Sequence, residues 1–332
     1  MSGSEEGFTR GSFDACEQVS ALCPVEATVL GYYPNLGSGI FFAIAFGLCT
    51  IAAGVLGVWK RTWTFGAAIT LGLLLETLGY IGRILLNDNP WDKDAFQLQI
   101  CTIILAPTLI CASIYLTLKH IALALNPSLS RVAPRWYPRI FLPADLSCLV
   151  VQAIGGGLAA AGGEDDRALV DGGNNAIIAG VCLQVVVLAV FGGLGLDYFL
   201  RVRRYMASSE VDPERLAMWR NGKFRRFIDA VMGAYVAVFI RCIYRIAEMA
   251  GGWGNHIMQD EISFLILDPT LILIATYLLT IFHPGLFFPQ MRNGYRKGGA
   301  GDDDVSKESA GDTTTGESGN EAGVVGAETE MK

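Results

Sequence analysis

Residues 175–200, NAIIAGVCLQVVVLAVFGGLGLDYFL, decide the fold of this chain. The stretch contains a single charged residue, Asp197, close to its end. A bilayer core about 30 Å thick is crossed by roughly 20 apolar residues in a helix. Backbone groups in hydrocarbon must satisfy one another, and β-barrel strands would be shorter and would alternate in polarity. The stretch therefore predicts a transmembrane α-helix.

Six further runs share this character, so the sequence predicts seven membrane spans. They are residues 38–58, 62–86, 96–119, 139–161, 175–200, 226–249 and 261–283. Charged residues make up only 17% of the chain, against about 25% in soluble domains. No basic tract with interleaved aromatic residues is found, so nucleic acid is not an expected partner. The predicted fold class is all-α, a polytopic membrane protein built as a seven-transmembrane-helix bundle.

The distribution of Lys and Arg predicts the orientation of the bundle. One alternate set of connections holds 17 of these residues and the opposite set holds 3, namely Arg10, Lys93 and Arg167. Positive charge is retained on the cytoplasmic side of membranes. We therefore expect the N-terminus outside and the C-terminus in the cytoplasm.

Three regions follow from these boundaries. Residues 1–36 are predicted to be an extracellular tail, residues 37–284 the transmembrane domain, and residues 285–332 an acidic cytoplasmic tail. From about residue 298 the chain consists mainly of Gly, Ser, Thr, Asp and Glu, which predicts disorder. Cys16 and Cys23 lie in the polar outer tail, where a disulfide between them is one possibility and two free thiols the other.

Ionisable and amide side chains recur inside the predicted spans at helical spacing. Steps of three, four and seven residues place side chains on one face of a helix. Residues that belong to such stripes are Glu76, Tyr80 and Arg83; Asp145 and Gln152; Arg241, Arg245 and Glu248; Glu261 and Asp268. Charged residues inside spans cost about 2.5–3.5 kcal/mol each on insertion scales, so they are expected to face the bundle interior.

Two interpretations of these stripes remain open. In one, the charges only lock the second, sixth and seventh spans together as ion pairs. In the other, some of them line an outward-facing cavity that receives a polar headgroup. We assign Arg83, Arg241, Arg245 and Glu248 to an ion-pair frame. We predict that the headgroup contacts the other polar residues, Glu76, Asp145, Gln152, Glu261 and Asp268. On this division Asp268→Asn is expected to fold but lose activity, and Arg245→Ala to impair assembly.

Several function classes lack the residues that they require. The chain has no phosphate-binding Gly-x-x-x-x-Gly-Lys-Ser/Thr loop. An intramembrane zinc hydrolase needs several His ligands on one side, but of His120, His256 and His283 the second is predicted to lie opposite the others. A retinal protein needs a lysine in its last span, and residues 261–283 contain none. We therefore predict no catalytic residue, no metal and no cofactor.

Several short motifs follow one another in the spans. They are Glu76-Thr-Leu-Gly-Tyr-Ile-Gly-Arg83, Ala106-Pro107, Ala112-Ser-Ile-Tyr115, Asp145-Leu-Ser-Cys-Leu-Val-Val-Gln152 with Gly155-Gly-Gly157, Arg241-Cys-Ile-Tyr-Arg245-Ile-Ala-Glu248, Glu261 with Asp268, and His283-Pro-Gly285. In this order they resemble the fungal lipid-translocating exporter (RTA-like) family. The resemblance covers about residues 35–290. His120 and Leu265 depart from the family pattern, where arginine and tyrosine are expected.

The resemblance implies a fungal seven-span protein that translocates or exports amphiphilic lipids such as sphingoid long-chain bases, or lipophilic toxins, and so confers resistance. It implies a lipid or lipophilic amphiphile as partner within the bilayer. The expected location is the plasma membrane, with a vacuolar or other endomembrane location as the alternative. A seven-helix receptor or sensor without transport activity is the alternative function, because the topology is the same. Its docking surface would be the basic loop between Arg201 and Arg226, although positive-inside charge explains that loop without a partner.

Overall fold

The computed structural model describes residues 16–162, 166–208, 212–250 and 256–287, and it is helical through all seven predicted spans. The helices are α1 Leu36–Trp59, α2 Trp63–Asp88, α3 Lys93–Leu125, α4 Tyr137–Gly162, α5 Arg167–Tyr205, α6 Pro213–Arg220, α7 Gly222–Ala250, α8 Glu261–Leu267, α9 Pro269–Ile281 and α10 Pro284–Phe287. Helices α1 to α5 and α7 each form one span, and α8 to α10 together form the seventh. The predicted fold class and the seven spans are confirmed.

The spans form a closed ring in chain order. Each packs against its neighbour in sequence, α7 packs on α9, and α1 closes the ring against α9. Helix α3 also contacts α7 across the ring. Two thirds of the apolar window of α3 is buried (67%), against 28% for α1. Helix α3 is therefore the central helix, and α1 presents most of its surface to lipid.

Large apolar side chains on the outside of the bundle are exposed where lipid would contact them. On α1, Phe41, Ile44, Leu48 and Ile51 are each more than half exposed. In water such a continuous apolar surface would mark an interaction site. On a bundle of seven membrane-length helices it is the surface that faces the hydrocarbon.

We call the end of the bundle that carries Asp88, Lys93 and Glu261 the outer end, following the orientation predicted from the loop charges, and the opposite end the inner end. At the outer end, residues 16–35 form a structured segment rather than a free tail. A disulfide joins Cys16 and Cys23, the pairing that the sequence left open. The Trp91 indole donates to the carbonyl of Cys23 at 3.2 Å, which fixes the disulfide loop on the α2–α3 connection.

In the glycine run of the fourth span, residues 155–157, Gly155 is the residue that lies closest to the neighbouring helix. A Cβ added to Gly155 would lie 2.7 Å from the carbonyl oxygen of Gly173 on α5, so a larger residue would force the two helices apart. A Cβ at Gly156 or Gly157 would meet nothing within 4 Å. Of the three glycines in this run, Gly155 is therefore the one that the close packing of α4 on α5 requires.

The structure differs from the sequence prediction mainly at helix ends. Helices α3 and α5 extend well beyond the predicted 96–119 and 175–200. The turns added to α5 and the outer turn added to α3 are more polar than the spans, so a hydropathy window ends before the helix does. At the inner end of α3, Lys119 and His120 precede a further apolar turn, residues 121–125. The short helix α6 lies in the basic loop and was not predicted, because its eight residues have no apolar face. Residues 1–15 and 288–332 lie outside the described part, so the disorder predicted for the acidic tail remains a prediction.

Candidate functional site

Seven charged residues of the spans come together inside the bundle, and we call them the polar core. The polar core consists of Glu76, Arg83, Arg241, Arg245, Glu248, Glu261 and Asp268. Six of the seven are less than 9% exposed, and Glu261 retains a 21% exposed side chain at the outer end. Burial of this many charges requires close pairing and additional hydrogen bonds.

The outermost pair joins α2 to the start of α8. Arg83 donates to a carboxylate oxygen of Glu261 at 2.8 Å. The same guanidinium nitrogen donates to the hydroxyl of Tyr32 at 2.9 Å, and the backbone N–H of Asn35 donates to Glu261 at 2.8 Å. Because Tyr32 and Asn35 belong to the N-terminal segment, this pair ties that segment across the outer end of the bundle. Burial raises the pKa of the Tyr32 phenol, with Arg83 acting in the opposite direction.

The second pair joins α7 to the break between α8 and α9. Arg241 Nε donates to Asp268 Oδ1 at 2.8 Å. A terminal nitrogen of the same guanidinium donates to the carbonyl of Ile103 at 2.9 Å. That carbonyl has no helical donor, because Pro107, four residues later, lacks an N–H. Arg241 thus satisfies the backbone group that Pro107 frees and connects α3, α7 and the seventh span.

The seventh span is interrupted at Asp268, whose backbone angles leave the helical region (φ −105°, ψ −80°). Pro269 lacks the N–H that would bond the carbonyl of Leu265. The hydroxyl of Thr270 takes its place and donates to that carbonyl at 2.7 Å. The helix is therefore broken at Asp268 and Pro269, and the break places the Asp268 carboxylate inside the bundle. Discontinuous helices of this kind line binding sites in membrane transporters.

The third pair lies within α7, one turn closer to the outer end. Arg245 donates to Glu248 at 2.6 Å. Both residues line a cavity of about 30 Å³ together with Tyr32, Arg83 and other residues of the outer end. This volume is large enough for one or two water molecules. The outer half of the bundle therefore contains a small polar cavity beneath the N-terminal segment.

Amide side chains continue the polar lining at mid-depth. Gln152 on α4 donates to Gln184 on α5 at 3.1 Å. Both amides border a second cavity of about 10 Å³, which Arg241 and Arg245 also line. Arg245 lines both cavities, whereas Arg83 lines only the first and Arg241 only the second.

The inner half of the bundle is closed by aromatic side chains. Tyr115, Tyr137, Phe141 and Phe191, which we call the aromatic cluster, are each at most 5% exposed. The ring centroids of Tyr115 and Phe191 are 4.4 Å apart, and those of Phe141 and Phe191 are 5.3 Å apart. Asp145 is buried beside this cluster and accepts a 2.6 Å hydrogen bond from the Tyr115 hydroxyl.

Glu76 is the one residue of the polar core that takes part in none of the three ion pairs. It lies at the middle of α2 and is fully buried. Across the part of the chain that the structure describes, neither of its carboxylate oxygens has a hydrogen-bond partner. It interacts electrostatically with Arg241, Asp268 and Arg245. The Tyr80 hydroxyl, one turn along α2, and Asp268 Oδ2 are likewise buried without a partner among the described residues.

The ion pairs in the structure do not follow the predicted division between headgroup-contacting residues and an ion-pair frame. Glu261 and Asp268, predicted to meet a headgroup, are the partners of Arg83 and Arg241 and so belong to the ion-pair frame as well. Glu76, Asp145 and Gln152 have no ion-pair partner in the described ranges. Contact of any of the five with a substrate remains a prediction.

Sequence reasoning missed two residues of the site. Gln184 carried a usable signal, since it is the one amide in the middle of the apolar stretch 175–200 and such side chains favour hydrogen bonds between helices. Tyr32 carried none, because it precedes the first span and nothing in the sequence places it over Arg83. Among the described residues, no group of three or more His, Cys, Asp or Glu side chains is arranged to hold a metal ion.

Comparison with known proteins connects this architecture to a family. The family model described as "RTA1 like protein" matches residues 69–291. The chain is 32% identical over 296 residues to the sphingoid long-chain base transporter RSB1 of Saccharomyces cerevisiae, covering 82% of this chain and 77% of that protein. From the same yeast, protoporphyrin uptake protein 1 is 26% identical (65% of this chain, 68% of the relative), and protein RTM1 is 27% identical (68% and 69%).

No solved structure matches the chain. The family match includes every residue of the polar core and covers two thirds of the sequence. The resemblance drawn from the motifs is confirmed: the chain belongs to the RTA1-like protein family.

Proposed function

We propose that this protein is a membrane translocator that moves or exports amphiphilic lipids of the sphingoid long-chain base class, or lipophilic toxins of similar form. The observation that carries the proposal is its 32% identity, over 82% of the chain, to a protein named as a sphingoid long-chain base transporter. Such a base has an apolar chain and a cationic amine head. Its transport across a bilayer requires a polar path for the head alone.

The polar core supports this proposal physically. Ionisable side chains within the membrane are costly and usually mark a substrate or ion pathway. Here the polar groups run from Arg83 and Glu261 at the outer end, through Arg241 and Asp268, to Gln152 and Gln184 at mid-depth. Two small cavities lie along the same line. A headgroup would travel along these groups while its hydrocarbon chain stays between helices or in lipid.

Orientation and location are part of the proposal. The N-terminal segment and its disulfide would lie outside the cell, where an oxidising environment maintains the bond. The loop rich in Arg between α5 and α7 would face the cytoplasm. We place the protein in the plasma membrane, because export of a toxic amphiphile removes it from the cell only there.

The direct test reconstitutes the purified protein in vesicles with a fluorescent long-chain base in both leaflets. A membrane-impermeant reductant bleaches the outer leaflet, and the slow phase of bleaching reports transbilayer movement. We expect the protein to accelerate this phase over protein-free vesicles. Asp145→Asn, which still accepts the Tyr115 hydrogen bond, should slow it several-fold. Asp171→Asn, the same change at an exposed position near the start of α5, is the matched control.

The outcomes separate two functions. Acceleration by the wild type and by Asp171→Asn supports a translocator. A folded protein that leaves the rate of protein-free vesicles unchanged contradicts the proposal and favours the seven-helix receptor or sensor.

A further inference from the structure

The charges of the polar core do not balance within the molecule. Three arginines face four carboxylates, and each arginine is bonded to one of Glu261, Asp268 or Glu248. Glu76 is the carboxylate that remains. It lies at the centre of α2 and therefore near the middle of the membrane.

Glu76 is part of a group of oxygen atoms that lack donors. The group comprises both carboxylate oxygens of Glu76, the Tyr80 hydroxyl and Asp268 Oδ2, all buried and without a partner among the residues that the structure describes. We call these four atoms the mid-membrane oxygen group. Glu76 and Tyr80 are one helical turn apart and share a face of α2. Both interact electrostatically with Asp268.

Among the residues that the structure describes, no unpaired cation faces Glu76. From α7 it is faced by Arg241 and Arg245, each already bonded to its own carboxylate. From the seventh span it is faced by Asp268, and on its own helix by Tyr80 and, farther out, Arg83. Helices α1 and α3 also pack on α2. Helix α1 has no charged residue, and the charged residues of α3 lie near its two ends.

An ionised carboxylate without a donor in this setting is strongly disfavoured, because burial penalises the charged form. In this setting the neutral carboxylic acid is therefore the favoured form of Glu76 when no cation is bound. A cation that enters the site replaces the proton. An ammonium group suits it, since its N–H donors match the several acceptors and its single charge matches the one unbalanced carboxylate.

We propose that Glu76, with Tyr80 and the free oxygen of Asp268, forms a monovalent cation site that holds a proton when empty and exchanges it for the ammonium group of the substrate. The inference rests on the proposed function for the identity of that substrate. The exchange converts the carboxylic acid and the free ammonium into a carboxylate–ammonium pair and one released proton. The O–H bond of Glu76 breaks, its electron pair stays on the carboxylate, and the proton leaves to water. Substrate movement is thereby coupled to proton movement in the opposite direction.

Infrared difference spectroscopy tests the proton on Glu76 without any transport. The purified wild-type protein at neutral pH should show the C=O band of a buried carboxylic acid. The band should be lost in Glu76→Gln and kept in Glu26→Gln, the same change at an exposed residue of the N-terminal segment. A wild-type spectrum whose carboxylic-acid band survives Glu76→Gln unchanged would overturn the proposal.

Calorimetric titration with a soluble short-chain analogue of a long-chain base, in two buffers of different ionisation heat, tests the exchange. We expect about one proton released per base bound by the wild type and by Glu26→Gln, and weaker binding without proton release by Glu76→Gln. Tyr80→Phe keeps the ring that packs against Phe42 and Phe46, so it should fold and bind several-fold more weakly.

The titration separates this inference from the proposed function. Binding of the base without proton release would overturn the exchange and leave the translocator standing. Unchanged affinity in Glu76→Gln would place the ammonium elsewhere. A wild type that fails to bind the base would contradict the proposed substrate and, with it, the exchange.

Discussion

The outer and inner halves of this bundle solve the same packing problem with different chemistry. The outer half is held by three arginine–carboxylate pairs that join α2, α7 and the seventh span around a cavity of about 30 Å³. The inner half is held by the aromatic cluster, in which rings of α3, α4 and α5 pack at centroid distances of 4.4 to 6.2 Å. An ion-paired half can admit a polar headgroup, whereas a half filled by aromatic rings must first open. On the proposed function, the aromatic cluster would close the pathway at its inner end.

The comparison predicts its largest effect at Asp268. Removing one partner of a buried ion pair leaves an uncompensated charge and costs about 3–5 kcal/mol. Asp268→Asn should reduce the free energy of unfolding in mixed micelles by about that amount, because Arg241 is only 4% exposed. This replaces the expectation from sequence that the variant folds normally. A variant as stable as the wild type would show that Arg241 depends little on Asp268.

The second effect tests the aromatic cluster. Phe191→Leu retains an apolar side chain but loses ring contacts to Tyr115, Tyr137 and Phe141. Aromatic pairs contribute about 0.5–1.5 kcal/mol beyond burial, so we expect a loss of about 1–2 kcal/mol in the same unfolding measurement. If the cluster closes the pathway, the variant should also move the fluorescent base faster per folded molecule. Slower movement by a stable variant would contradict that role.

A smaller effect is expected where the N-terminal segment covers the outer half. Tyr32→Phe removes the 2.9 Å hydrogen bond from Arg83, and bonds to charged groups contribute about 1.5–3 kcal/mol when fully buried. Tyr32 is only partly buried, so we expect about 1 kcal/mol. Tyr33→Phe, at a 46% exposed neighbour, is the matched control.

The same residue gives a pH dependence with a defined sign. Burial raises the pKa of folded Tyr32 above its usual value of 10.0, so the folded state holds the phenol proton more tightly than the unfolded state. The contribution is fully present below pH 10 and is lost as pH rises through the folded pKa. Above pH 10, the unfolding temperature of the wild type should fall more steeply with pH than that of Tyr32→Phe. If the two unfolding temperatures depended equally on pH, a raised pKa for the Tyr32 phenol would be contradicted.

The smallest effect is expected at an exposed ion pair whose N–O distance is nearly the same as that between Arg241 and Asp268. Asp197 bonds Arg131 and Arg201 at 2.9 Å, but the three side chains are 33% to 60% exposed. Exposed pairs contribute about 0–1 kcal/mol. Asp197→Asn should therefore cost less than about 1 kcal/mol and lose that difference in high salt, whereas the cost of Asp268→Asn should be insensitive to salt. Equal losses of stability in Asp197→Asn and Asp268→Asn would show that burial does not determine how much these ion pairs contribute.

The sequence predicted the spans, the inward position of the charges and the candidate residues, because hydropathy and helical spacing are local properties. It could not predict which carboxylate meets which arginine. That choice depends on which helices are neighbours, so Glu261 was separated from Arg83 although the two are 2.8 Å apart. The excess of one carboxylate was visible by counting, but its identity as Glu76 required the three pairs to be seen. Tyr32 was invisible for the same reason, since its contact with Arg83 spans 51 residues.

The most direct test of the account is to map where the amine head of a long-chain base lies in the protein. A base with a photoreactive group beside its amine would be cross-linked to the reconstituted protein and the labelled peptides identified by mass spectrometry. If the headgroup passes through the polar core, the label should lie on α2 and α7, around Glu76, Tyr80 and Arg241. The yield of this label should be lower in Glu76→Gln. Label confined to the lipid-facing surface of α1, around Ile44 and Leu48, and unchanged by that substitution, would contradict a headgroup path through the polar core.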